Sequence, residues 1–203
     1  MKGYFILKGI ARPVFHLLYR LKFTGRENEP VGEPYILCAN HTSNIDAIVA
    51  GLAVKAQIHY FAKASLFKMP ILRHVVKMLG ALPVERESTN GGFKAIKDSI
   101  ALLKTGECVG IFPQGKRVAG IPPENGEPKS GVGMIVYHSK CKVLPVCIRT
   151  KKWKPHLFGK TEIIIGKPID YSEFEFTNGK NGEFDRASQY IFSKIAELSK
   201  KQG

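Results

Sequence analysis

Acidic residues are scarce in this chain. Seventeen Asp and Glu stand against thirty-one Lys and Arg, a formal net charge of +14 over 203 residues. That imbalance demands an anionic partner, and membrane lipid, nucleic acid or a phosphorylated substrate would each meet it. Cysteine is sparse too. Cys38, Cys108, Cys141 and Cys147 form no CxxC pair and no Cys/His cluster at zinc spacing, which argues against a metal site. Three of them lie in apolar, strand-like runs, where a free cysteine behaves as a small hydrophobe, so reduced thiols in a cytosolic compartment are expected. No uninterrupted apolar run reaches eighteen residues, which excludes a conventional transmembrane helix. Internal repeats, low-complexity tracts and recognised nucleic-acid modules are also missing. A nucleic-acid-binding domain is therefore supported by charge alone, and nucleic acid is not expected as a partner.

What is present is enough for one buried core. The composition is 44% hydrophobic, and strand-like runs at 35–39, 58–62, 81–84, 107–112, 143–149 and 161–165 alternate with helix-like segments at 45–54, 70–79, 91–104, 130–140 and 184–200. Phe93, Ile96, Ile100 and Leu103 repeat at helical spacing, and Gly106 follows as a stop signal. The alternation predicts an α/β single-domain sandwich over residues 23–203, with a mostly parallel central sheet flanked by helices. Residues 113–130, rich in Gly, Pro and Lys, are the longest loop and the expected mobile wall of a site.

Residues 1–22 stand apart. Lys8, Arg12, His16 and Arg20 recur every fourth residue, with Ile10, Val14, Leu17, Leu18 and Leu21 elsewhere around the helix. This pattern predicts an amphipathic helix, kinked or divided at Pro13, whose basic stripe would meet anionic head groups in a membrane interface. An ordinary amphipathic helix packed on the domain fits the same pattern.

Chemistry concentrates in Asn40-His41-Thr42-Ser43-Asn44-Ile45-Asp46, between the run 35–39 and the helix-like segment 45–54. On a continuous helix, residues five apart point about 140° away from each other. His41 and Asp46 can therefore meet only if His41 lies in the turn before the helix. With Ser43 as N-cap, Asp46 would be the third helical residue and could reach back to one ring nitrogen, leaving the other to take a proton. A capping box of Ser43 and Asp46 is compatible with that arrangement.

Three further segments end strands with polar or basic residues. Phe112-Pro113-Gln114-Gly115-Lys116-Arg117 follows the run 107–112 and should share a crevice with His41 at the carboxyl ends of the strands. There Arg117 could grip a phosphate in bidentate fashion, Lys116 would add a point charge, and Gly115 would let the backbone approach. Lys63 closes Tyr60-Phe61-Ala62-Lys63, and Arg86 closes Gly80-Ala81-Leu82-Pro83-Val84-Glu85-Arg86. Val143-Leu144-Pro145-Val146 carries a proline that suggests an edge strand or a bulge. Residues 112–160 hold ten Lys/Arg against two Glu, and Trp153 among Lys151, Lys152 and Lys154 would suit an interfacial anchor.

In order, His-x4-Asp, Gly-Ala-Leu-Pro-Val-Glu-Arg, Phe-Pro-x-Gly-x-Arg and Val-Leu-Pro-Val resemble the four blocks of the glycerolipid acyltransferase family, most closely its bacterial 1-acyl-glycerol-3-phosphate acyltransferases. The resemblance runs from about residue 23 to 170, taking in Phe61-Ala62-Lys63 and Gly166-Lys167-Pro168-Ile169. It implies transfer of a fatty acyl group from acyl-CoA or acyl-carrier protein to a lysophospholipid hydroxyl, peripherally, on the cytoplasmic face of an anionic membrane, with no permanently bound cofactor. His41 would be the general base and Asp46 its orienting acid. Arg86 and Arg117 would take the acceptor's phosphate, and Lys63 an oxyanion or a donor phosphate. The chain departs from the family in having Gln114 and Lys116 where Glu and a small hydroxyl residue are usual. Gln114 keeps a carbonyl acceptor and loses a charge, which opens the alternative of another lysophospholipid or an amino-lipid acceptor.

Overall fold

Tyr35–Ala39 is buried at all five positions, as a strand covered on both faces must be. Alternate side chains serve two cores: Ile36 and Cys38 join one cluster, and Tyr35, Leu37 and Ala39 the other. The computed structural model describes residues 2–70, 72–85 and 90–200. In chain order the elements are α1 (Lys2–Tyr19), β1 (Leu21–Thr24), β2 (Tyr35–Ala39), α2 (Asp46–Ala53), β3 (Ile58–His59), β4 (Phe61–Lys63), α3 (Leu72–Met78), β5 (Leu82–Val84), α4 (Gly91–Lys104), β6 (Cys108–Ile111), α5 (Gly131–Ser139), β7 (Lys142–Thr150), β8 (Thr161–Ile165) and α6 (Asn181–Lys200).

Six strands make one sheet in the order β1-β8-β7-β2-β6-β3, parallel at every pairing but β7 with β8. This is the expected α/β architecture with a mostly parallel sheet between helices. Helices α4, α5 and α6 cover one face through Leu103, Val136 and Ile191, while α1 and α2 cover the other through Phe15, Val49 and Leu52. Helix α5 lies so close to α6 that a Cβ on Gly133 would sit 2.1 Å from the Phe184 carbonyl oxygen. No described helix is long and apolar enough to cross a membrane.

Several local expectations change. The run 58–62 is not one strand: β3 ends at His59, and β4 departs to pair with β5 in a separate two-stranded sheet. The N-terminal helix stops at Tyr19, and Leu21–Thr24 is a strand paired with β8. Pro145 sits in a central strand rather than at an edge or bulge. Its carbonyl accepts from Gly166 N at 2.8 Å, and a strand residue's nitrogen points the same way as its carbonyl. The missing N–H therefore faces the end of the short β7–β8 ladder, which begins at Val146, and not β2.

Helix α1 packs on the domain through Ala11, Phe15 and Tyr19, and one residue of its basic stripe departs from the expectation. Lys8 points inward, donating to the carbonyls of Val54 (2.5 Å), Lys55 and Ala56 at the end of α2, and Arg12 lies over the Phe23 ring. Five large apolar residues face solvent, Phe5, Ile6, Ile10, Val14 and Leu17, alongside the exposed Arg12 and His16. The helix runs through Pro13 without a break.

Candidate active site

The carboxyl ends of β2 and β6 build the site. Beyond β2, Asn40 continues the sheet with its side chain: Nδ2 donates to Ile148 O at 3.0 Å, and Oδ1 accepts from Ile148 N at 2.8 Å. The next residue, His41, is thereby fixed in a turn on the open end of the sheet. Its backbone N–H donates to Gln114 Oε1 at 2.7 Å, and its carbonyl accepts from Val118 N at 2.7 Å.

His41 Nδ1 lies 3.0 Å from Asp46 Oδ2, and both side chains are buried. The route to that contact differs from the expected one. Ser43 does not cap α2; Ile45 occupies the N-cap position, and Asp46 is the first helical residue rather than the third. The carboxylate still reaches back, because the same Oδ2 accepts from the backbone N–H groups of Thr42 (2.6 Å) and Ser43 (2.7 Å). A carboxylate only accepts, so Nδ1 carries the hydrogen and Nε2 holds the lone pair. An imidazole so held can take a proton at Nε2 and return it.

The ring is also held from the side. Phe112, at the end of β6, stacks on it with centroids 4.0 Å apart and planes 11° apart, and Tyr60 stacks on Phe112 in turn. Tyr60 lies flat on the sheet because residue 110 is glycine; a Cβ there would fall 2.1 Å from the Tyr60 ring. Burial pushes the Tyr60 phenol well above its ordinary range, so it stays neutral.

From His41 a groove of about 550 Å³ runs between α1, α2, α3 and the small β4–β5 sheet. Its walls are mainly apolar, including Leu7, Ile48, Leu52, Phe61 and Val75. Lys63 and Arg117 stand in the same lining as His41. Gln114, in contrast, is buried with its oxygen on the His41 backbone, while Gly115 and Lys116 are exposed and outside the groove lining. Gly115 has a φ of +69° and turns the chain, donating to Phe112 O at 2.9 Å. Arg86 falls in residues 86–89, outside the described residues. The segment 113–130, expected as a mobile wall, is tied down by three backbone bonds: Val118 N to His41 O, Gly120 N to Trp153 O, and Lys129 N to Pro113 O. Trp153 is half-buried against the α4–α6 core, which takes it out of the role of an exposed anchor.

Among the described residues no three His, Cys, Asp or Glu side chains are grouped to hold a metal ion. Sequence reasoning did not assign parts to Asn40, Tyr60 and Phe112, and it gave Gln114 a ligand instead of the His41 backbone. The available signals were an asparagine closing a buried strand and an aromatic residue before Pro113.

A model of the acyltransferase family matches residues 20–149, which contain every element of this site except α1. The chain belongs to the acyltransferase family. Along the family's length it is 32% identical over 184 residues to the 1-acyl-sn-glycerol-3-phosphate acyltransferase of Bacillus subtilis, covering 89% of each chain. It is 30% identical over 174 residues to the enzyme of that name from Streptococcus pneumoniae, covering 83% of this chain and 63% of that one. Its fold matches the crystal structure of the 1-acyl-sn-glycerophosphate acyltransferase of Thermotoga maritima with a TM-score of 0.70 at 23% identity, over 98% of this chain and 81% of the other.

Proposed function

We propose that this acyltransferase moves a fatty acyl group from a coenzyme A or carrier-protein thioester to the free hydroxyl of 1-acyl-glycerol-3-phosphate, giving phosphatidic acid. The observation that carries the proposal is the His41–Asp46 pair at the head of an apolar groove that also presents Arg117 and Lys63. His41 Nε2 takes the proton of the acceptor hydroxyl as its oxygen attacks the thioester carbonyl. The tetrahedral intermediate then expels the thiolate, which is protonated by the His41 imidazolium, so the base is regenerated. Asp46 holds the tautomer and stabilises the transient positive charge. Positioned proton transfer of this kind contributes about 10²–10⁴-fold.

The groove would take the apolar chain, and Arg117, exposed at its mouth, would take the acceptor's phosphate. Lys63 would face the oxyanion or a donor phosphate. The names of the Bacillus and Streptococcus relatives support this choice of acceptor. Under the same reading the enzyme works peripherally on the cytoplasmic side of an anionic membrane, with the exposed apolar stripe of α1 in the lipid.

Free thiol release from palmitoyl-CoA, followed with and without lysophosphatidic acid, tests the activity. Acceptor-dependent release that disappears in His41→Ala is expected. Retained turnover in that variant would remove His41 as the base, and preference for a non-phosphorylated acceptor would remove Arg117 from its role.

A further inference from the structure

A second cavity, of about 440 Å³, opens where the chain passes from α1 into β1 and where β7 turns back into β8. It lies at the same end of the sheet as His41, because β7 runs parallel to β2 and extends four residues past the Ala39–Val146 pairing. The groove that holds His41 does not include it. Arg20, Lys151, His156 and Lys160 are in its wall. Its one carboxylate, Glu162, is already engaged by Arg149 at 2.7 Å and by Lys160 at 2.6 Å. Arg20 and Lys151 make no ion pair among the described residues, so two cations face the cavity unanswered. Thr150, also in the wall, is buried, and its Oγ1 has no hydrogen-bond partner.

The surroundings are apolar and exposed. Phe158 forms part of the wall, is 64% exposed, and donates its backbone N–H to Leu18 O at 2.6 Å. That bond joins the hairpin tip, with Leu157 and Phe158, to the end of the α1 stripe at Leu17. Arg20, Lys152, Trp153 and Phe158 all hold positive φ values around the cavity, a conformation that costs free energy in non-glycine residues. A soluble anion would need no apolar ridge beside its site. A phosphate at the surface of a bilayer has one by construction, since the acyl region lies next to it.

We propose that this cavity binds the phosphate of an anionic membrane lipid headgroup, outside the catalytic groove, with Arg20 and Lys151 as its cations and Leu157 and Phe158 inserted beside it. The proposal rests on the peripheral-membrane reading above and adds a specific lipid contact to it.

The test is partitioning of the full chain onto vesicles of phosphatidylcholine alone or with phosphatidylglycerol. One double variant is Arg20→Gln with Lys151→Gln; a charge-matched control is Lys97→Gln with Lys104→Gln, on α4. A basic side chain at an anionic surface is worth about fivefold in binding, so the first double variant should lose roughly 25-fold on anionic vesicles. It should keep wild-type turnover on detergent-dispersed substrates, which also reports that it folds. The control should lose little. Equal losses in both variants would reduce the effect to net charge and overturn the site. A wild type that binds anionic vesicles with the Arg20/Lys151 variant unchanged would overturn the site and leave the membrane reading standing. No vesicle binding by wild type would overturn both. A raised KM for the coenzyme A thioester in detergent, with vesicle binding intact, would assign the cavity to the donor's phosphates instead.

Discussion

Gln114 holds His41 by its backbone: the side-chain oxygen accepts the His41 amide hydrogen at 2.7 Å, across 73 residues of sequence. The residue that departs from the family's usual glutamate thus braces the proposed base from behind. Replacing it with methionine, close in volume, leaves a buried N–H without its partner, at about 1–3 kcal/mol. Gln114→Met should lower kcat by up to about 100-fold through misplacement of the imidazole, with KM nearly unchanged. Gln114→Glu, which keeps an acceptor, should stay close to wild type. A large KM change in Gln114→Met would return the residue to substrate binding.

Asp46→Asn tests the other support. One oxygen of Asp46 serves three hydrogen atoms, those of Thr42 N, Ser43 N and His41 Nδ1. An amide oxygen in that place can accept the same three hydrogens but carries no charge, so it holds the tautomer less firmly and cannot offset the imidazolium's positive charge. Acyl transfer should fall by about 10²–10⁴-fold, with circular dichroism unchanged. Steady-state assays of matched protein preparations check this.

The thiols should divide by burial. Burial pushes the Cys108 thiol up to about 11 and the Cys147 thiol up to about 12, and it raises Cys38 further. Cys141 is only half-buried. Iodoacetamide at pH 8, followed by peptide mass spectrometry, should label native protein at Cys141 alone, with acyl transfer retained. Rapid labelling of Cys38 or loss of activity on labelling Cys141 would contradict this arrangement.

Lys8 supplies a pH dependence. Burial, opposed by the nearby Glu29 carboxylate, lowers its ammonium pKa from 10.5 to about 8. Between pH 8 and 10.5 the unfolded chain then binds more protons at this residue than the folded one, so stability from Lys8 rises with pH. Below pH 8 the ammonium is charged in both states and the dependence vanishes. Urea midpoints at pH 8, 9 and 10 should rise for wild type relative to Lys8→Met. Parallel midpoints would refute it.

Gly110→Ala probes the stack behind the histidine. The new methyl would displace Tyr60, and through it Phe112, from the packing that lies against His41. Overpacking of this kind costs about 1–3 kcal/mol. The melting temperature should fall and kcat with it; unchanged values for both would show that the ring moves freely.

Local patterns in the chain carried the sheet, the helices and the His41–Asp46 pair, because spacing within six residues decides them. Contacts between distant segments were not readable. Periodicity located the basic stripe of α1 but not which of its residues turns into the domain. That choice is made by the Val54–Ala56 carbonyls, which draw Lys8 inward. The strand at Leu21–Thr24 alternates, but over only four residues, too few to outweigh the helical spacing before it, so its pairing with β8 reveals it. Pro145 looked like an edge residue because the local rule is written for strands paired along their full length on both sides. Here one side of the ladder stops at Val146. Gln114 could be read as a ligand because its partner is a backbone amide on another strand end.

The β4–β5 ribbon is hydrogen-bonded to itself and not to the six-stranded sheet. Length changes or substitutions in that ribbon and in α3 can therefore reshape the far wall without disturbing the strand ends that aim the imidazole. On the function proposed above, and so long as Lys63 at the end of β4 is kept, selectivity for the size of the transferred group and the aim of the imidazole are separately evolvable.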